Sequence, residues 1–324
     1  METMRAVRAH ERGGPEKLRP ETARRPEPGP GEILVAVVAA SVTAGELTWP
    51  ASWTDSADGS GRDRTPVIPS HEVSGTVAAL GPGVREWAVG DEVYALIPFT
   101  RDGAAADYVT LPADVAAAKP AGIGHTAAAA LPLAGLTALQ ALESHAGLRA
   151  GAHVLVQGAA GGVGSLAVQI AVAKGATVTA TASAAGAHYV ASLGAGRVLD
   201  HRTSRFEDEV SGVDIVLDCV GGDTQTRSWS VLRPGGVLVS VAEPTDARLA
   251  ERAGARGDFF IVEPDRTGLD ALTALVDDGR LAPRIDRVVP LADTPAAYEA
   301  LEREHPQGKI VISVAEETPR ADEV

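Results

Sequence analysis

Apolar residues fall in short runs over the first third of the chain and in helix-strand alternation beyond it. Ile33–Ala40 is a continuous apolar run after the turn cluster Pro28-Gly29-Pro30-Gly31. Glu72–Leu80 reads as a second strand ending at Gly81-Pro82-Gly83. Glu92–Ile97 follows Gly90-Asp91, and Asp107–Leu111 is another short strand. Short strands punctuated by Gly and Pro predict a rolled, barrel-like sheet. Ser52–Thr65 has no apolar period and reads as a mobile surface loop or as one that borders a binding cleft.

The pattern changes near Pro120–Gly124. Thr126–Ser144 is rich in Ala and Leu and fits a helix. The strands His153–Gln157, Thr177–Ala182, Arg197–Asp200, Asp214–Cys219, Gly236–Val241 and Phe259–Val262 then follow. Helices are expected over Gly164–Ala173, Ala187–Leu193 and Thr224–Leu232. Such alternation predicts a parallel sheet covered on both faces. The charged tail Ala315–Val324 is expected to fray.

Length and composition narrow this picture. The 324 residues suggest two domains, and a net charge of −14 argues against a nucleic-acid backbone as main partner. The single cysteine rules out a disulfide within the chain and a Cys-rich zinc site. With aromatics at 4%, the core must be mainly aliphatic. No run reaches the ~18 apolar residues of a membrane span, so a soluble cytoplasmic protein is the expectation.

The strongest motif is His153–Gly164, HVLVQGAAGGVG, an apolar strand running into Gly158, Gly161, Gly162, Val163 and Gly164 at the start of a helix. Glycines there allow a tight turn and close backbone approach to a pyrophosphate, which the helix N-terminus then binds. NAD-specific folds place an acid about 20 residues on, against the ribose 2′-OH. That position is Ala182, followed by Ser183, with no carboxylate. The cofactor expected is NADPH, with Ser183, His188 and Arg202 as candidate phosphate contacts.

Several segments in order resemble the zinc-independent medium-chain dehydrogenases/reductases, in their quinone oxidoreductase and zeta-crystallin branch. They are Pro69–Gly81, Val89–Val93, Ala128–Leu142, Val154–Gln169, Leu193–Asp200, Asp218–Gly222, Leu232–Val241 and Gly308–Val314. The resemblance implies an α/β protein: a GroES-like β-rich catalytic domain, residues 1–122 and 264–324, with a Rossmann domain, residues 123–263, inserted. It also implies NADPH-dependent reduction of a quinone or a conjugated C=C bond, usually by a homodimer. Leu133 and Thr137 would lie along the dinucleotide, and Cys219, Val220 and Gly221 near the nicotinamide ribose. Val241 and Ala242 would lie beside the ring, and Phe260 and Val262 at the carboxamide. Lys309 would anchor the cofactor or cap a strand.

His71-Glu72 is similar to the motif that supplies a metal ligand in zinc alcohol dehydrogenases. Those enzymes also use cysteines; here the upstream position falls at Thr43 and carries none. A catalytic zinc needs about three protein ligands, so His71 is read as a hydrogen-bonded structural residue and no metal is expected. A quinone or enone suits a metal-free site, because it delocalises the incoming hydride's charge into an enolate that a hydrogen-bond donor stabilises.

Thr43, Glu46 and Trp49 are the candidate catalytic residues. Thr43 and Glu46 replace the Asn and Asp of the family's usual segment, and Ala105 stands where relatives often carry Tyr. Tyr108 reads as core. A pathway-specific reductase in natural-product biosynthesis, an NADPH-binding protein with little catalysis, and a zinc alcohol dehydrogenase are the rival readings.

Overall fold

The computed structural model describes residues 2–55, 61–304 and 306–317. The chain divides into two compact units. One comprises Met1–Leu133, Pro264–Asp277 and Pro283–Val324; the other comprises Ala134–Glu263 and Asp278–Ala282.

The first unit is built on a mixed sheet with strand order Ile285–Pro290, Lys309–Ser313, Glu32–Ser41, Glu72–Leu80, Glu92–Leu96 and Ala116–Ala118, with Tyr108–Pro112 also pairing with Glu32–Ser41. The hairpin Thr3–Ala9 and Leu18–Arg24 forms a separate two-stranded sheet. Lys309–Ser313 adds antiparallel to Glu32–Ser41, so residues from both chain ends share one sheet. Its core is aliphatic, from Val7, Ile33, Val35 and Val73 to Ile310 and Ile312, and takes in Trp53, Trp87 and Tyr298. The expected strands of this region all form, with ends shifted by a residue or so.

The second unit carries a parallel sheet in the order Arg197–Asp200, Thr177–Ala182, His153–Gln157, Val213–Asp218, Leu232–Ser240 and Arg256–Phe259. The chain therefore starts in mid-sheet, winds outward one way, then crosses back and winds the other way. His153–Gln157 and Val213–Asp218 are neighbours across that reversal, and ligands of doubly wound sheets bind outside the carboxyl ends of such strands. Leu155, Val213, Val216 and Leu238 fill one side of the sheet with Phe206 and Trp229.

Three local expectations are corrected. The single helix expected over 126–144 is broken into His125–Ala128, Pro132–Gln140 and a π-helical turn Ala141–His145, because Pro132 lacks the N–H that would continue the first helix. The last strand is Arg256–Phe259 rather than Phe259–Val262, since the ladder to Val237–Ser240 ends at Phe259. The loop expected over 52–65 is anchored at both sides: Ser52 and Trp53 end a short helix, and Arg64 N–H donates to Trp53 O at 2.9 Å. Its residues 56–60 lie outside the described residues.

Candidate functional site

The glycine motif of the second unit forms a shaped cradle. Gly158 takes φ +72 at the end of its strand, a conformation that favours glycine. A Cβ on Gly164 would sit 2.4 Å from Gly158 O, so this glycine lets the helix Gly162–Ala173 pack against the loop. Gly161 differs: the nearest atom to its Cβ position is Gly158 O at 3.5 Å, an ordinary contact, so the fold itself does not require a glycine there. Gly161 is the helix N-cap and no side chain caps it, so the first-turn N–H groups and the positive end of the dipole are offered to an anion. The cradle thus fits a dinucleotide pyrophosphate.

Two buried networks hold the cradle's rim. Thr181 Oγ1 donates to Gln157 Oε1 at 2.6 Å and accepts from Gly158 N–H at 3.2 Å, while Ala159 N–H donates to Thr181 O. Across the reversal, the fully buried Asp218 accepts from the N–H groups of Val220 and Gly221 through Oδ1. Its Oδ2 accepts from Ser240 Oγ at 3.0 Å and Gln225 Nε2 at 3.2 Å. Ser240 Oγ in turn accepts from Ala242 N–H, and Val241 N–H donates to Asp218 O. Asp218 therefore holds Val220 and Gly221 through its carboxylate, Val241 through its backbone carbonyl and Ala242 through Ser240. Burial and the Asp218 charge push the Cys219 thiol well above its ordinary value, so it stays protonated.

The remaining nucleotide-side residues are less uniform. Ser183 is the N-cap of Ala184–Ser192, with no cap bond from its side chain. Ala182 pairs with Asp200, and His201 N–H donates to Ala182 O, which brings the Arg202 segment to the same end of the sheet as Ser183. Asp200 Oδ1 is occupied by Arg202 N–H. His188 is exposed and lies beyond the first turn of its helix. Phe260 stacks on His145 with centroids 4.0 Å apart, so one face of its ring is occupied. Glu263 and Gln140 exchange two hydrogen bonds that pin the segment holding the buried Val262. Thr137 is buried.

The first unit brings Thr43, Glu46, His71, Glu72, Tyr298 and Lys309 into two linked polar clusters. Ser70, at φ 72, turns the chain so that its N–H donates to Glu46 Oε1. That strained backbone is over-determined: Ser70 O accepts from Ala104 N–H, and Ser70 Oγ lies 3.2 Å from Tyr298 Oη. His71 Nδ1 lies 2.5 Å from Glu46 Oε1, and Tyr298 Oη donates to Glu46 Oε2 at 2.6 Å. Burial alone would raise the Glu46 carboxyl; His71, Tyr298 and the Ser70 N–H outweigh it and hold it below the usual carboxylate range. The Tyr298 phenol is pushed well up by burial and by the Glu46 charge. His71 Nε2 lies 3.1 Å from Arg101 O.

In the second cluster Lys309 Nζ lies 2.5 Å from Glu72 Oε2 and 3.2 Å from Thr43 Oγ1. Thr43 Oγ1 donates to Glu72 Oε2 at 3.1 Å, and Leu133 N–H donates to Glu72 Oε1 at 3.0 Å.

Of the candidate catalytic residues, Glu46 is buried and bonded to His71, Tyr298 and Ser70 N–H. Lys309 and Leu133 are both tied to Glu72 in the first unit. Trp49 is half-buried and packs edge-on to Phe99, which packs edge-on to His71. Tyr108 is half-buried against the core and carries the Arg25 guanidinium on its ring. Tyr298 and Asp218 were missed. The Asp of DCVGG at a strand end was a usable signal for Asp218, whereas nothing local links Tyr298 to Glu46 across 252 positions.

Among the described residues no three His, Cys, Asp or Glu converge as a metal site, and no helix is long and apolar enough to cross a membrane.

The chain matches two family profiles: "Alcohol dehydrogenase GroES-like domain" over residues 29–121 and "Zinc-binding dehydrogenase" over residues 193–312. It is 30% identical to the mitochondrial NAD(P)H oxidoreductase RTN4IP1 of Mus musculus, over 88% of this chain and 82% of that protein. It is 32% identical to a chloroplast envelope quinone oxidoreductase homolog of Arabidopsis thaliana, over 76% and 80% of the two chains. The quinone oxidoreductase of Coxiella burnetii superposes with a TM-score of 0.88 at 31% identity, covering 97% of this chain and 100% of that one. These relatives correct one expectation: a cytoplasmic location does not stand, because the mouse relative is mitochondrial.

Proposed function

The chain belongs to the quinone oxidoreductase-like members of the medium-chain dehydrogenase/reductase superfamily and is an NAD(P)H oxidoreductase, and we propose that it uses NADPH, without a metal, to reduce a quinone or the conjugated C=C bond of an α,β-unsaturated carbonyl. The observation that carries this reading is the state of His71. Its two ring nitrogens are packed against Glu46 Oε1 and Arg101 O, and no three His, Cys, Asp or Glu side chains converge as a metal site among the described residues. The Cys-rich alternative has only Cys219 to draw on, in the other unit, with its thiol held protonated.

Without a Lewis acid, an unactivated ketone is a poor hydride acceptor, whereas a conjugated acceptor spreads the arriving charge onto oxygen. When bound, the reduced nicotinamide supplies the hydride. The chain's own residues bind and orient. The N-terminal N–H groups of Gly162–Ala173 hold the pyrophosphate. Gly161 leaves room for it. Ser183 and Arg202 take the 2′-phosphate, with Ala182 adding no repelling charge. Asp218 fixes the backbone of Val220, Gly221 and Val241 for the ribose and ring. Thr43 supplies a hydroxyl to the acceptor, and Trp49 with Phe99 forms an apolar wall beside it. The working form is a homodimer, checked by sedimentation.

The test is NADPH consumption with a panel of quinones and enones, alongside metal analysis of the purified protein. Turnover of conjugated acceptors with substoichiometric zinc is expected. Tight NADPH binding with no turnover of any acceptor makes it a binding protein and refutes the reading.

A further inference from the structure

The N-terminal hairpin of the first unit lines a cavity that no step of the proposed reaction uses. Its volume is about 460 Å³, inside the roughly 300–1,000 Å³ of small-molecule sites. Its whole wall comes from residues 4–110, so it belongs to the first unit alone. Strand alternation puts Met4 and Arg8 on one face of Thr3–Ala9, and Ala23 stands opposite Met4 on the partner strand. These three residues line one side, and residues from 62–68, 100–103 and 108–110 complete the wall.

That wall is basic, in a chain of net charge −14. Arg8, Arg24, Arg62, Arg64 and Arg101 line it, and among the described residues Asp102 is the one carboxylate that does. Three of the arginines have acidic partners: Arg8 bonds Glu21, Arg101 bonds Glu32, and Arg24 lies 3.8 Å from Glu27. None of those three carboxylates lines the cavity. Asp102 is committed to the backbone, its Oδ1 accepting from Ile68 N–H at 3.1 Å, and it lies 3.7 Å from Arg64 Nη2. Arg64 Nη1 donates to Ser52 O and Phe99 O, both at 3.3 Å, which fixes that guanidinium in place. Arg24 and Arg62 are exposed, whereas Arg8, Arg64 and Arg101 are half-buried. A solute therefore meets cations at the surface and further cations deeper in.

A guanidinium does not shed its proton near neutral pH, so several around one partly buried space leave a repulsion that an anion relieves. Low-dielectric walls of one sign focus the field on that space. Planar guanidinium forks also match the paired oxygens of phosphate and carboxylate groups.

We propose that this cavity binds a small polyanion, a compound carrying two or more phosphate or carboxylate groups, on residues that share nothing with the glycine cradle. More than one anionic group is required because the arginines enter from four separate segments of the chain, around Arg8, Arg24, Arg62–Arg64 and Arg101. The site stands independently of the functional reading above.

The test is calorimetric titration of inorganic pyrophosphate, and separately of citrate, into the full chain saturated with NADPH, which keeps the glycine cradle filled. One anion per chain is expected, with an affinity that falls as NaCl rises. Pyrophosphate binding tighter than citrate identifies a phosphate ligand, and the reverse identifies a polycarboxylate. Arg24→Gln/Arg62→Gln removes two exposed cations from the wall and should weaken the preferred anion at least about tenfold, with a urea midpoint close to wild type. Arg248→Gln/Arg303→Gln removes the same charge from exposed positions outside the wall and should bind like wild type. No saturation by either anion at about 1 mM overturns the site. So does equal binding in wild type and Arg24→Gln/Arg62→Gln, or an equal loss in the two double variants. If NADPH does not bind, the functional reading fails, and the comparison of the two double variants still decides the site.

Discussion

His71 Nδ1 and Glu46 Oε1 lie 2.5 Å apart with both side chains about 1% exposed, and the other nitrogen of the same ring faces Arg101 O at 3.1 Å. The imidazole that a zinc enzyme would aim at its metal is here closed on both sides by acceptors. Prolonged treatment with a chelator should therefore leave turnover unchanged. One zinc per chain, lost together with activity, would show that His71 exchanges its partners for a metal.

The same cluster sets an acid limit on stability. The Glu46 carboxyl is held below its unfolded value, so its contribution is full above the unfolded value, near 4.5, and disappears as pH falls through the lower folded value. His125 is also held low, by burial, with Glu92 opposing. Its contribution is full above about 6.5 and is lost as pH falls below that. Urea midpoints should decline in two stages on acidification, and His125→Gln should remove the earlier one. A flat profile between neutrality and pH 5 in wild type contradicts the assignment to His125.

Tyr298→Phe removes a hydroxyl that donates to a buried carboxylate at 2.6 Å. It should lower stability by about 1.5–3 kcal/mol with an unchanged denaturant slope. A loss within the error of the urea midpoint would mean that Ser70 and His71 satisfy Glu46 by themselves.

Two glycines three residues apart should separate folding from binding. An alanine at Gly164 drives its Cβ to 2.4 Å from Gly158 O, and the overpacking should cost about 1–3 kcal/mol. Gly161→Ala meets nothing closer than 3.5 Å, so it should melt like wild type yet bind cofactor at least about tenfold more weakly, by fluorescence titration. Undiminished affinity in Gly161→Ala places the pyrophosphate elsewhere.

Arg202→Ala removes an exposed cation at the sheet end shared with Ser183. It should weaken NADPH by about tenfold and leave NADH binding as it is, a split read by parallel titrations. An equal effect on both nucleotides argues that Arg202 does not meet a 2′-phosphate.

The inserted parallel sheet was legible because each strand there is a short apolar block bounded by turn residues, and His153–Gln157, Thr177–Ala182 and Arg197–Asp200 form as read. Helix limits were less legible. Pro132 breaks an Ala-rich stretch whose composition alone favours one helix. The glycine cradle could be read from spacing, since Gly158, Gly161 and Gly164 act through local backbone geometry. The polar clusters could not: Thr43 meets Lys309 beside the pairing of Lys309–Ser313 with Glu32–Ser41, and Glu46 meets Tyr298 of the helix Thr294–Glu304 across 252 positions. Sequence spacing carries no trace of such contacts, so Glu46 reads there only as a candidate catalytic residue and Lys309 as a cofactor anchor or a strand cap.

The central claim, metal-free hydride transfer from NADPH to a conjugated acceptor, is tested most directly by isotope tracing. NADPH carrying deuterium at nicotinamide C4 is mixed with an enone and chelator-treated protein, and the product is read by NMR. The account expects deuterium at the β-carbon and a solvent proton at the α-carbon. A product labelled at the carbinol carbon, or NADPH oxidation that depends on added zinc, would contradict it.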